Sequence, residues 1–231
     1  MLQFNIELRN KDIDIFCFQE IYSDAKNKAE QHPELKIIFD FELFEKIQEV
    51  LNETHIGYFR PCYSDFYGQA IFTKKIIQIE EEGDVIIYEN NQPERRGQHS
   101  RNMQYIKINH NDKSLLIANV HGLWNGKGKT DTEERILQSK NIKNFIDNRS
   151  VEEKIVLGDF NLSPDTQSVS IIKDGMRDLV EEYGITSTRT SYYDKNNKFA
   201  DYAFVSPDLD VIAFKVLPDE VSDHAPLYLE I

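Results

Sequence analysis

Asp159 and Asn161 close an apolar run, KIVLGDFNLSP, that begins at Lys154. Side chains two residues apart on an extended chain share a face, so the carboxylate and the carboxamide converge at one rim of a sheet. Desolvating such a pair is costly unless something at that rim requires it. Four further strand ends carry residues of the same kind. FCFQE ends in Glu20, LLIANVHGLW carries His121, FADYAFVS opens a strand with Asp201, and EVSDHAPLYLEI sets Asp223 and His224 just before the final strand. Singly, each has an ordinary role, as a solvated glutamate, a hydrogen-bonded histidine or a turn-capping aspartate. Together, four carboxylates, one carboxamide and two imidazoles suit an acidic metal pocket with two phosphate-facing imidazoles.

The elements that must position these groups are short apolar runs bounded by polar turns. IDIFCF, QAIFTKKIIQI, VIIY, MQYIKI, SLLIANV, KIVLG, YAFVS, DVIAFKVL and LYLEI predict about nine strands. Two helices interleave with them. In FDFELFEKIQEVLNE, Leu43, Phe44, Ile47, Val50 and Leu51 form one apolar stripe. In TDTEERILQSKNIKNFIDN, Ile136, Ile142, Phe145 and Ile146 form another, and Thr130 with Glu133 has capping-box spacing. A weaker helix is predicted around residues 165 to 183, with Gly175 inside it, and the glutamates at 80 to 82 read as a solvated turn. More strand than helix, interleaved, predicts an α/β (α+β) chain.

At 231 residues the sequence suits one large domain over residues 1–231, with no Pro/Gly/Ser-rich linker to divide it. No apolar run reaches the length of a membrane span, and no secretory signal pattern opens the chain. Cys17, inside IFCF, reads as a small buried hydrophobe, and with Cys62 the only other cysteine the setting expected is reducing and cytoplasmic. The net charge of −13 excludes a protein that grips nucleic acid chiefly by neutralising phosphates. An acidic enzyme can still cut phosphodiesters when a bound cation supplies the local positive charge.

The ordered set QE, NVH, GDFN, DYAFVS and SDHAP closely resembles the endonuclease/exonuclease/phosphatase superfamily, which includes pancreatic-type deoxyribonucleases, abasic-site endonucleases, bacterial sphingomyelinases and inositol-polyphosphate phosphatases. The resemblance runs from about Asp12 to the C-terminus. It implies a four-layer sandwich, two packed mixed β-sheets with helices outside. It implies that Glu20 binds a divalent ion, Mg²⁺ or Mn²⁺, with Asp223 supporting the metal or its water. Asp159 would orient and deprotonate the attacking water, and Asn161 would hydrogen-bond the phosphoryl group. His224 would contact a phosphate oxygen while held by Asp201, and His121 would be the second imidazole there. Among substrate-binding candidates, Arg101 stands where deoxyribonuclease-like members keep a phosphate-contacting arginine, with a solvated turn arginine as the equal alternative. Gln69 stands near where some relatives place a glutamate that orients the first histidine, which would leave His121 with a neutral partner. Trp124, Lys127 and Lys129 would form a substrate wall, or Trp124 a packing anchor, and Arg189 is open in the same way.

The activity implied is hydrolysis of a phosphodiester by in-line attack of water, nuclease-like first. The alternatives are a phospholipid or inositol-phosphate hydrolase, and a weakly active or inactive binding module. Partners are therefore a phosphate-ester substrate, either nucleic acid or a phosphorylated small molecule or lipid. The binding-module reading rests on the N-terminus. Relatives begin with a strand ending in a metal-binding asparagine, then a helix, then the QE strand. Only fourteen residues, Ile6 to Gln19, separate Asn5 from Glu20, too few for a parallel crossover once IDIFCF is counted. The expectation is a chain that starts inside that helix and lacks the first strand, leaving a gap in one sheet with apolar surface exposed.

Overall fold

The run IFCFQEIY forms strand β1 (Ile15–Tyr22) in the computed structural model, which describes residues 12–25, 41–90 and 98–231. There follow α1 (Leu43–Leu51), β2 (His55–Tyr63), β3 (Tyr67–Lys74), β4 (Ile79–Tyr88), β5 (Arg101–His110) and β6 (Lys113–His121). The rest comprises α2 (Glu133–Asp147), β7 (Glu153–Asp159), α3 (Gln167–Lys173), β8 (Arg177–Asp178), α4 (Leu179–Glu182), β9 (Asp201–Val205), β10 (Ala213–Val216) and β11 (Leu227–Glu230).

Six strands make the larger sheet, in the order β4-β5-β6-β7-β9-β8. It is mixed, because β6 and β7 run parallel through the α2 crossover while the other pairs are antiparallel. The second layer is a three-stranded antiparallel sheet, β1-β3-β2, beside a separate β10-β11 hairpin. Ile47 and Leu51 of α1 pack with Phe72 on that layer. Ile71 of β3 joins Ile117 and Ile155 of the larger sheet in the main core, which also takes Ile142 and Ile146 of α2 and Val169 and Ile172 of α3. Helix, sheet, sheet, helix is the expected layering; among the described residues the second sheet is antiparallel.

Several local expectations are corrected. Val50 is 48% exposed and leaves the α1 stripe. The cap of α2 is Thr132, which accepts from the Arg135 backbone N–H at 3.3 Å, and Thr130 instead bonds the Lys127 carbonyl. The inner face of α2 is largely polar, with Arg135, Gln138 and Ser139 buried beside Ile142 and Ile146. The predicted helix at 165–183 is broken into α3, β8 and α4. The glutamates at 80–82 lie within β4, where Tyr105 donates to Glu81 at 2.9 Å and Arg149 and Arg60 pair with Glu81 and Glu82. Unpredicted β2 carries Pro61, which is tolerated because β2 is an edge strand. Burial pushes the Cys17 thiol up to about 12 and the Cys62 thiol to about 11, which keeps both as neutral thiols near pH 7.

Between β1 and β11 runs a groove of about 1570 Å³. Ile15 and Cys17 line one side, Leu227 and Leu229 the other, and Ile117, Ile155 and Leu157 of the larger sheet form its floor. Among the described residues these two strands are not hydrogen-bonded to each other, and the aliphatic side chains along the groove are buried or half-buried. Asn5 and the expected N-terminal helix lie outside the described residues. The groove opens at one end onto Glu20, Asp159, Asp201, Asp223 and His224.

Candidate active site

Gly158 explains why the apolar run of β7 breaks before its carboxylate. Its φ of +130° favours glycine, and a Cβ there would lie 2.1 Å from the Val120 carbonyl of β6. Without a side chain at 158, β7 stays against β6 and brings His121 and Asp159 into register. β9 pairs on the other side, with Asp159 opposite Asp201. Three strand ends therefore present their polar groups at one rim. Asn161 follows with φ +55°, its backbone N–H donating to Asp159 Oδ1 at 2.8 Å and its side chain to the Gly122 carbonyl at 3.3 Å.

Asp201 is 6% exposed and its two oxygens lie 2.8 and 3.0 Å from His224 Nδ1. His224 Nε2 lies 3.7 Å from Asp159 Oδ2. Burial disfavours the imidazolium, but the Asp201 hydrogen bond and the charges of Asp159 and Asp201 outweigh it and carry His224 to about 9. Burial, reinforced by Asp201, raises Asp159 to about 6 against the pull of His224 and Arg189. His224 is a cation near neutrality, and Asp159 loses its proton just below it.

His121 is buried in the opposite state. Arg101 Nη1 lies 2.9 Å from its Nδ1 and 3.3 Å from its Nε2. Burial, then the Arg101 charge, hold the ring well below its ordinary range. With the guanidinium donating to Nδ1, the ring proton sits on Nε2, which faces Glu20 Oε1 at 3.6 Å. The expectation that Gln69 orients this ring is not met. Gln69 donates to Asn102, at 2.8 Å to its carbonyl and 3.1 Å to its side chain. Arg101 is neither a solvated turn residue nor, at 2% exposure, an open phosphate contact; it stands behind His121.

Glu20 sits in a β-bulge of β1 with φ +58°, its side chain 70% exposed, and accepts from the Tyr67 hydroxyl at 3.3 Å. The bulge is tied to β6 through Asn119, which accepts from Gln19 at 2.5 Å and donates to the Phe18 carbonyl at 3.0 Å. Asp223 is half exposed and accepts from Arg189 Nη1 at 2.7 Å, so Arg189 joins the site through it. Trp124 lies farther out, with Arg135 6.0 Å and Lys195 5.8 Å from its ring. Gln138 and Arg135 of α2 hold the loop between, taking the Leu123 N–H at 2.9 Å and donating to its carbonyl at 3.3 Å.

Asp159, Asp201 and His224 offer ligand atoms within 4.8 Å of one another. The imidazolium of His224 offsets one of the two carboxylate charges there. Glu20 and Asp223, exposed carboxylates with hard oxygen donors, lie outside that cluster. Sequence reasoning missed Tyr67, Thr188 and Asn119 as supports. Thr188 Oγ1 donates to Asp201 Oδ2 at 3.0 Å and accepts the Ala200 and Asp201 N–H groups. Nothing in STRTS marks that residue, whereas Asn119, two before His121 on a strand, shares its face and was legible.

Residues 2–224 match the model of the Endonuclease/Exonuclease/phosphatase family. Among solved structures, a mannosyl-6-phosphatase of Bacteroides thetaiotaomicron is 22% identical, with 95% of this chain and 85% of that one covered at a TM-score of 0.67. A family protein of Leptotrichia buccalis is also 22% identical, covering 96% and 89% at 0.67. TDP2 of D. rerio, in complex with a single-strand DNA product, is 15% identical over 94% and 84% at 0.63. At these identities the likeness is one of fold. No curated protein matches the chain.

Proposed function

This chain belongs to the endonuclease/exonuclease/phosphatase family, and on that premise we propose that it is a divalent-metal-dependent phosphoesterase, with a phosphodiester as first-choice substrate. One observation carries the reading. Two imidazoles, one cationic and one neutral, stand beside a buried carboxylate whose pKa burial raises to about 6. A base with that pKa is ionised at neutral pH yet still able to take a proton, which suits Asp159 to accept one from an attacking water. Cationic His224 donates Nε2–H to a non-bridging phosphate oxygen, and neutral His121 donates its own Nε2–H without adding charge. Asn161 offers its amide to the same phosphoryl group. Glu20 would hold the divalent ion, Mg²⁺ or Mn²⁺, with Asp223 supporting it or its water, and that ion supplies Lewis-acid stabilisation of the phosphate when bound.

Arg101 acts in this reading as a positioning residue for His121, while Trp124 and Arg189 face the substrate. The net charge of −13 favours short or small phosphoesters over long DNA. The chain acts as one domain, in a cytoplasmic setting; among the described residues no helix is long and apolar enough to cross a membrane. The test is product release from nucleic acid, phospholipid, inositol-phosphate and sugar-phosphate panels with Mg²⁺ or Mn²⁺. Release that EDTA abolishes is expected. Release from phosphomonoesters alone would replace the diester, and no release from any panel would leave the binding-module reading.

A further inference from the structure

Asn125 is the one asparagine in the chain that is followed by glycine. A side-chain amide at such a position is open to attack by the next backbone nitrogen, which glycine leaves unshielded because it has no Cβ. The structure adds two features to this pair. The Lys127 backbone N–H donates to Asn125 Oδ1 at 3.1 Å, which folds the side chain back over the Gly126 peptide and draws electron density from Cγ. That N–H also stands where negative charge would develop on Oδ1 during attack. Gly126 is exposed, with φ +74° and nothing within 4 Å of the place a Cβ would take, so the loop can turn there without collision. Every other asparagine precedes a residue with a Cβ, and Asn102 and Asn119 are wholly buried besides.

We propose that Asn125 is a self-modification site, which converts to aspartate and isoaspartate and thereby releases the Trp124 loop from α2. The Gly126 nitrogen gives its proton to hydroxide and bonds to Asn125 Cγ. The Cγ–Nδ2 bond breaks, and the amide nitrogen takes a proton from water and leaves as ammonia. Water then opens the cyclic imide at either carbonyl, so one carboxylate replaces one amide and nothing is oxidised or reduced. The amide lost is a tie between loop and helix: Asn125 Nδ2 donates to Thr132 Oγ1 at 3.3 Å, and Thr132 caps α2. A carboxylate in its place would meet the same hydroxyl as Glu134, whose carboxyl is held below its ordinary range first by a Thr132 hydrogen bond. Two like charges at one hydroxyl repel. Opening to isoaspartate also adds a methylene to the backbone directly after Trp124. The inference does not rest on the phosphoesterase reading.

The full chain is held at mildly alkaline pH, where hydroxide is more plentiful, and sampled by tryptic digestion and fragmentation mass spectrometry. Cleavage after Lys113 and Lys127 yields residues 114–127 as one peptide, in which buried Asn119 is an internal control. Asn125 should lose its amide ahead of every other asparagine, at a rate that rises with hydroxide, and both acid products should appear. Asn125→Gln keeps an amide but lengthens the side chain past the favoured ring, so it should stop the conversion. Asn125→Asp reproduces one product, and it should shift the fluorescence of Trp124, the single tryptophan. The proposal is overturned if Asn125 keeps its amide while other asparagines convert, if no isoaspartate forms, or if Asn125→Asp leaves the Trp124 emission unchanged.

Discussion

The two imidazole walls of the site are built from the same residue type and reach opposite charge states. On one wall, His224 is 30% exposed and set against two carboxylates, so it is protonated near neutrality. On the other, His121 is buried against a guanidinium and stays neutral. The residue nearest each ring decides its state. In the proposed reading a phosphate between the walls meets a full positive charge on one side and an uncharged donor on the other.

The largest effect should come from the carboxylate between the walls. Asp159→Asn keeps the shape and removes the base, so kcat should fall by roughly two or more orders of magnitude with little change in KM. Steady-state kinetics check this, and a loss confined to KM would reduce Asp159 to a binding group. Next comes the charged wall. Asp201→Asn removes the partner that lifts His224, so the imidazole should give up its proton at a lower pH than in the wild type, and kcat near neutrality should fall roughly tenfold or more. The sign is fixed by linkage. A raised folded pKa means that His224 stabilises the fold fully below about 6.5 and loses that contribution as pH rises through about 9. Thermal melting of the wild type should therefore decline over that window, and Asp201→Asn should flatten the decline.

The neutral wall should respond less. Arg101→Met removes the donor on His121 Nδ1 and its opposing charge, so the ring should protonate more readily and kcat should fall about tenfold. An unchanged rate would mean that the tautomer of His121 does not matter to the reaction. The smallest effect lies behind the charged wall. Thr188→Val removes the hydroxyl that supports Asp201 and should cost about 1–2 kcal/mol of stability by denaturant unfolding, with Thr188→Ser restoring it.

The contrast between the walls also marks what the sequence could and could not reveal. The pairing of Asp201 with His224 and the placement of Asp159 and Asn161 at the end of β7 were legible, because strand periodicity and the order of short motifs bear on both. Glu20, expected at a strand end, sits instead at a bulge inside β1. The partner of His121 was not. Arg101 lies twenty residues away on a strand whose own ends gave no sign of where its guanidinium turns, and Gln69 was the better match by position. The glutamates of β4 looked like a turn because their pairing partners, Arg60 and Arg149, come from distant elements. The helix at 165–183 broke because Asp178 caps α4 afresh, accepting from the Val180 and Glu181 N–H groups, after Gly175 turns with φ +72°.

The central claim is that one imidazole facing the phosphate is cationic while the other is neutral. Histidine titration by NMR in EDTA-treated protein tests it most directly, with His224→Ala and His121→Ala samples to assign the signals. His224 should titrate near pH 9, and His121 should stay neutral well below the ordinary histidine range. Two histidines that titrate together near 6.5 would contradict the account.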